Sequence, residues 1–267
     1  MTNNIKLVAL DLDGTALNSK SEVSKYSKII LNEIAEDYIL VPTTGRGFYG
    51  LRENLLKVEN IRYVISANGA VVTDGYENKR LFEFLIDYHV ALDLVNDYIQ
   101  EDTLVYIHRN DEVSTHVCYW KNDCFNNMFD GIEKLDLIDF ISNDKRDILK
   151  IGIRFINQED TLKAKSDIEK RYPMLNVFTV GNNALEITDK NASKWNALKN
   201  LCEKLNVSSD EVLAIGDNGN DIGMIEFAGV GVAMANSVQE LKDVADFICE
   251  DNDHDGATKY LERRLLK

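Results

Sequence analysis

The sequence predicts an α/β fold: a parallel sheet covered on both faces, with a second, α+β module inserted into it. Three observations carry this. Short apolar runs alternate with helix-like stretches at both ends of the chain, the pattern of a parallel sheet with helical crossovers. The middle third instead holds adjacent strand candidates joined by hairpin signals. Two strands near the chain ends stop at acidic, glycine-bearing turns, where an open α/β sheet places its ligands.

Residues 5–10, 38–42 and 63–66 read as the first strands, with a helix over 24–37 between the first two. Toward the C-terminus, 212–215, 230–234 and 247–249 are short apolar runs separated by helix-like 221–228 and 237–245. Between them, a helical pattern over 88–100 precedes strand candidates 104–109 and 113–120, with Asn110-Asp111 as the turn. A strand at 149–156, a helix at 158–171 and strands at 175–180 and 184–187 follow. Gly181-Asn182-Asn183 marks a hairpin between the last two. The expected division is a discontinuous core over 1–82 and 184–267, with an inserted module over 83–183.

The 267 residues suffice for a large core. A hydrophobic content of 45% and a charged content of 28% are those of a globular domain, with apolar runs too short for a membrane span. The first residues lack the apolar segment of a secretory signal. The four cysteines, Cys118, Cys124, Cys202 and Cys249, show neither a C-x-x-C pair nor zinc spacing, so free thiols in the cytoplasm are expected. Thirty basic against forty-five acidic side chains give a net charge of −15, which argues against nucleic acid as a partner. An anionic substrate must then be attracted by local groups rather than by the global field.

The chemistry begins at Asp11-Leu12-Asp13-Gly14-Thr15, two carboxylates one residue apart at a strand end. Such a pair repels unless a cation or a shared proton relieves it. Carboxylate oxygens suit Mg²⁺, which needs few of them beside phosphate oxygens. An acidic turn without further purpose is the plainer alternative. The second strand ends in Thr43-Thr44-Gly45-Arg46, which offers a hydroxyl, an approachable backbone N–H and a planar cation, or else a helix cap. Strand 212–215 ends in Gly216-Asp217-Asn218-Gly219-Asn220-Asp221. Here Asp217 can complete an oxygen-rich cation site, Asn220 can donate to phosphate, and Asp221 can cap the next helix. Ser193-Lys194 opens a helix whose first-turn lysine opposes the macrodipole.

In order, these segments resemble the haloacid dehalogenase (HAD) superfamily: DLDGT its first motif, Thr44 its second, Lys194 its third and GDNGND its fourth. The segments SANGAVV at 66–72 and VGVAMANSVQELKDVADFICEDNDHDGATKYL at 230–261 are similar to those of the Cof-type subgroup. The resemblance implies a Rossmann-like core and makes the inserted module a cap of type C2B. It further implies a Mg²⁺-dependent phosphatase of small phosphorylated metabolites, sugar phosphates first among them. Asp11 would be the nucleophile, forming an aspartyl phosphate, and Asp13 the general acid and base. Mg²⁺ would be held by Asp11, Asp13 and Asp217, with Asp221 supporting its water shell. Thr44, Gly45, Lys194 and Asn220 would hold the phosphoryl oxygens.

Trp195, Ala16 and Ala235 depart from the family pattern without removing a catalytic group. The cap is expected to set substrate choice. Arg46, Trp195, His108 and His116 are the candidates for that role, with Arg109, Tyr119, Trp120 and Arg154 beside the two histidines. A phosphomutase using the same aspartate pair, and a non-catalytic sugar-phosphate sensor, are the alternatives. The sequence leaves the oligomeric state open.

Overall fold

The computed structural model describes residues 4–47, 60–109, 116–121, 123–125 and 133–266. The chain divides into two compact units, Met1–Glu83 with Ser193–Lys267, and Phe84–Ala192.

The first unit is built on β1 (Leu7–Asp11), whose five residues are all buried. Its side chains alternate between two cores, as the period-two geometry of a strand requires. Val8 and Leu10 join Ile30, Leu31 and Ile34 of helix Lys25–Asp37 and Leu261 of helix Gly256–Leu261 on one face. Leu7 and Ala9 join Ala197, Leu198 and Leu201 of helix Lys194–Leu205 on the other. The Ser24 side chain caps the first of these helices by accepting from the Ser27 N–H at 3.0 Å. Ser193 caps helix Lys194–Leu205 in the same way, accepting from Asn196 at 3.1 Å, and the helix ends on left-handed Asn206.

The remaining strands are β2 (Ile39–Thr43), β3 (Tyr63–Ser66), β4 (Val71–Asp74), β5 (Lys79–Glu83) and, in the second unit, β6 (Thr103–His108), β7 (His116–Trp120), β8 (Glu133–Lys134), β9 (Lys150–Phe155), β10 (Leu175–Val180) and β11 (Ala184–Asp189). Back in the first unit, β12 (Val212–Gly216), β13 (Val230–Ala233) and β14 (Phe247–Ile248) complete the set among the described residues. The first unit's sheet runs β14-β13-β12-β1-β2-β3-β4-β5. It is parallel from β14 to β3 and antiparallel over β3-β4-β5. In register, Asp11 lies beside Thr43 and Leu10 beside Ile215, so the carboxyl ends of β1, β2 and β12 are neighbours.

The second unit's sheet runs β10-β11-β9-β6-β7-β8, antiparallel except for the short β7-β8 pair. One face packs Val105, Ile107, Ile151, Ile153 and Leu185 against Leu94 and Val95 of helix Tyr88–Tyr98 and Ile168 of helix Gln158–Arg171. The second boundary differs from the expected 183/184. β11 is paired along both edges, with β10 and with β9, so it belongs to the inserted unit and the division falls after Ala192. A tight hairpin at Gly181 keeps the strand it launches in the sheet of the strand it follows. The predicted Asn110-Asp111 turn, and the start of the strand predicted at 113–120, lie outside the described residues. Among the described residues no helix is long and apolar enough to cross a membrane.

Candidate active site

The ends of two adjacent parallel strands, β1 and β12, deliver the carboxylates. Asp11 closes β1, and Asp217 follows β12 directly. Gly14, in the turn after β1, lets that loop pass close to Asp217. Its φ is +80°, and a Cβ there would lie 2.3 Å from Asp217 Oδ2. Asp221 enters through the turn Gly219–Asp221, its Oδ2 accepting from the backbone N–H groups of Asp217 and Asn218, both at 3.1 Å. Those two bonds fix the loop and aim the other oxygen, Oδ1, at Lys194.

Lys194 is the first residue of its helix and is 2% exposed. Its Nζ donates to Asp11 Oδ1 at 2.5 Å and to Asp221 Oδ1 at 2.7 Å. Burial works against its charge, but the two carboxylates outweigh burial and hold its pKa above the ordinary lysine value. Asp11 is pushed well above the usual carboxylate range by burial first and by Asp221 second. Asp217 is pushed up to about 6 by the same two causes. One oxygen from each of Asp11, Asp217 and Asp221 lies within 4.8 Å of the others, and Asp11 Oδ2 is buried with no hydrogen-bond partner among the described residues. This all-oxygen donor set fits a hard divalent cation such as Mg²⁺.

Asp13 stands apart from that group. It is exposed, and its carboxylate accepts a two-point contact from Arg46, at 2.8 Å from Nε and 2.5 Å from Nη2. Asp221, expected only to support a metal's water shell, stands inside the carboxylate group instead. Arg46, expected to choose substrate, here pairs with the candidate general acid. Thr44 is fully buried, and its Oγ1 accepts from the Arg46 N–H at 3.1 Å. Asn220 donates through Nδ2 to Asn68 Oδ1 at 3.0 Å. Trp195 is 40% exposed and packs beside Gly223, where a Cβ would fall 2.9 Å from its own. Sequence reasoning overlooked Asn68 as a site residue. It also overlooked Asn236, which donates to the Gly14 carbonyl at 2.8 Å.

In the second unit, His108 and His116 are direct register partners on β6 and β7. Arg109 is buried and spent on structure, pairing with Asp144 at 2.8 Å and stacking on Phe140. Trp120 takes the Lys134 ammonium over its ring at 4.4 Å. Nearby on the sheet, buried Lys150 pairs with Glu186 at 2.6 Å, and the Tyr106 hydroxyl donates to the same oxygen at 3.4 Å. The Tyr106 ring occupies the space that a side chain at Gly152 would take. Arg154 lies two residues further along β9, its Nε buried and without a hydrogen bond among the described residues.

A family model described as haloacid dehalogenase-like hydrolase matches residues 8–261. Phosphatase YwpJ of Bacillus subtilis (strain 168) is 30% identical over 298 residues, covering 98% of this chain and 100% of the relative. From the same organism, 5-amino-6-(5-phospho-D-ribitylamino)uracil phosphatase YcsE is 28% identical over 268 residues, with 98% and 97% covered. Among solved structures, a haloacid dehalogenase-like hydrolase from Bacteroides thetaiotaomicron is similar at a TM-score of 0.81 and 26% identity, covering 97% of this chain and 99% of that one.

Proposed function

The chain belongs to the haloacid dehalogenase-like hydrolases, and from that premise we propose a Mg²⁺-dependent phosphatase of small phosphorylated metabolites. The observation that carries the reading is the Asp11–Lys194–Asp221 constellation beside Asp217. Lys194 ties down one oxygen of Asp11 and leaves Oδ2 as the attacking atom. That oxygen forms a bond to phosphorus as the ester P–O bond breaks, giving an aspartyl phosphate. Asp13, once protonated and let go by Arg46, gives its proton to the departing alkoxide. It then takes a proton from the water that attacks phosphorus, which frees Asp11 and inorganic phosphate.

Thr44, the Gly45 N–H, Lys194 and Asn220 hold the phosphoryl oxygens through both steps. Asp11, Asp217 and Asp221 would hold Mg²⁺, which when bound offsets the repulsion between the attacking carboxylate and the phosphoryl group. The Asp11 nucleophile needs such help, because burial and Asp221 both favour its protonated form.

A phosphorylated polyol or sugar is the preferred substrate class. YcsE is named for a substrate carrying a phosphorylated ribityl group. Tyr106, His108, Arg154 and Glu186 on the second unit's sheet are specificity candidates for their hydrogen-bonding groups. His116 is retained as a specificity candidate on its register position alone. The cytoplasm is the proposed location, in keeping with four cysteines that show neither a C-x-x-C pair nor zinc spacing.

The test is phosphate release across a panel of phosphorylated sugars, polyols and nucleotides, with and without EDTA. Asp11→Asn should cost at least about three orders of magnitude, roughly 4 kcal/mol of barrier. Unchanged turnover in that variant refutes the mechanism. An isomeric sugar phosphate in place of free phosphate would assign a mutase.

A further inference from the structure

The segment 66–72 has no part in the chemistry above, yet its turn touches three loops that do. β3 ends at Ser66, and Ala67, Asn68 and Gly69 then follow with φ of 50°, 56° and 90°. Two consecutive non-glycine residues in the left-handed region are costly, and such a conformation persists where its surroundings dictate it.

Those surroundings are the site loops. The Asn68 N–H donates to the Thr44 carbonyl at 2.9 Å and the Ala67 N–H to that of Arg46 at 2.8 Å. Gly45 passes so close that a Cβ there would lie 2.9 Å from Asn68 Oδ1. Gly69 abuts the start of the Lys194 helix, where a Cβ would fall 2.1 Å from the Ser193 carbonyl oxygen and 2.7 Å from the Lys194 nitrogen. The same Asn68 Oδ1 accepts from Asn220 Nδ2 at 3.0 Å, across 152 residues of sequence.

We propose that Asn68 is a positioning residue that acts through Asn220. A carboxamide nitrogen carries two hydrogens. By accepting one of them, Asn68 fixes the rotation of the Asn220 amide and commits the second to a phosphoryl oxygen. The left-handed turn sets Asn68 at the height this requires, and the missing side chain at Gly45 gives it room. The inference rests on the phosphatase reading, which assigns Asn220 to the phosphoryl group.

The test uses the Mg²⁺-loaded full chain with inorganic phosphate as the probe, measured by titration calorimetry beside thermal melting. Asn68→Gly keeps the backbone conformation and removes the acceptor. It should bind phosphate about tenfold more weakly than wild type, the scale of one hydrogen bond to a charged group, while melting within a few degrees of it. Asn220→Ala should lose a similar factor, and the double variant no more than Asn220→Ala alone, because both changes remove one interaction. If Asn220→Ala binds weakly and Asn68→Gly binds like wild type, the Asn68 assignment falls and the phosphate site stands. Losses that multiply in the double variant also overturn it. If Asn220→Ala itself binds normally, both the assignment and the phosphate role of Asn220 fail.

Discussion

Replacing Lys194 by methionine isolates the charge that balances the buried carboxylates. Methionine keeps most of the stem's volume, so packing is nearly conserved. The ammonium at 2.5 Å from Asp11 and 2.7 Å from Asp221 is lost, and both partners are almost fully buried. Breaking a buried pair by removing one partner costs about 3–5 kcal/mol, because the remaining charge is left uncompensated. At roughly 2–4 °C per kcal/mol for a chain of this size class, the melting temperature in EDTA at pH 8 should fall by about 6–20 °C.

The sign with pH follows from Asp11. Its pKa is raised in the fold, so its ionised form costs stability as pH climbs above the unfolded value, near about 4. Lys194 lowers that pKa; without it the cost grows and extends to higher pH. The deficit of Lys194→Met should therefore be small at pH 4.5 and large at pH 8. Thermal melts at the two pH values, followed by circular dichroism in EDTA, measure it. An equal deficit at both would mean that the lysine contributes packing alone, and the charge argument would be refuted.

Gly14→Ala should fold but bind Mg²⁺ at least tenfold more weakly in a thermal-shift titration, since a Cβ at 2.3 Å from Asp217 Oδ2 must displace that carboxylate. The left-handed φ of +80° adds about 1–2 kcal/mol of destabilisation. In the second unit, Gly152→Ala puts a Cβ 1.9 Å from Tyr106 Cζ and should lower stability by about 1–3 kcal/mol in urea unfolding. Adding Tyr106→Ala should recover most of that loss, and failure to recover would place the strain elsewhere.

What was legible in the sequence was local. β1, β2, β3, β12 and β13 are short apolar runs ending in turn residues, and each lies within one or two residues of its expected bounds. Asp11 ends β1, Asp217 directly follows β12, Lys194 begins a helix and Asp221 immediately precedes one, and strand ends in an open α/β sheet meet. β5 was missed because its residues, Lys79-Arg80-Leu81-Phe82-Glu83, carry charges at an exposed edge and show no alternation. The Arg46–Asp13 and Asn220–Asn68 pairs were also invisible, since they join side chains 33 and 152 residues apart through loop geometry that no periodicity encodes. The Gly181 hairpin signal is local, whereas the pairing of β11 with β9 that sets the domain boundary joins strands distant in sequence.

The charge count of the buried group argues for what completes it. Asp11, Asp217 and Asp221 bring three carboxylates, and Lys194 brings one ammonium. Fully ionised, 3 negative charges against 1 positive leave two negative charges in a buried space. Such an excess is relieved either by protons or by a cation. The raised pKa values of Asp11 and Asp217 are the proton solution. It is incompatible with the proposed chemistry, because a protonated Asp11 is a poor nucleophile toward phosphorus. A divalent cation balances the same two charges and leaves Asp11 Oδ2 ionised, whereas a monovalent one leaves half the excess in place. The same imbalance that raises these carboxyl pKa values is therefore the reason to expect Mg²⁺ and phosphate to bind in concert, each weakened when the other is withheld.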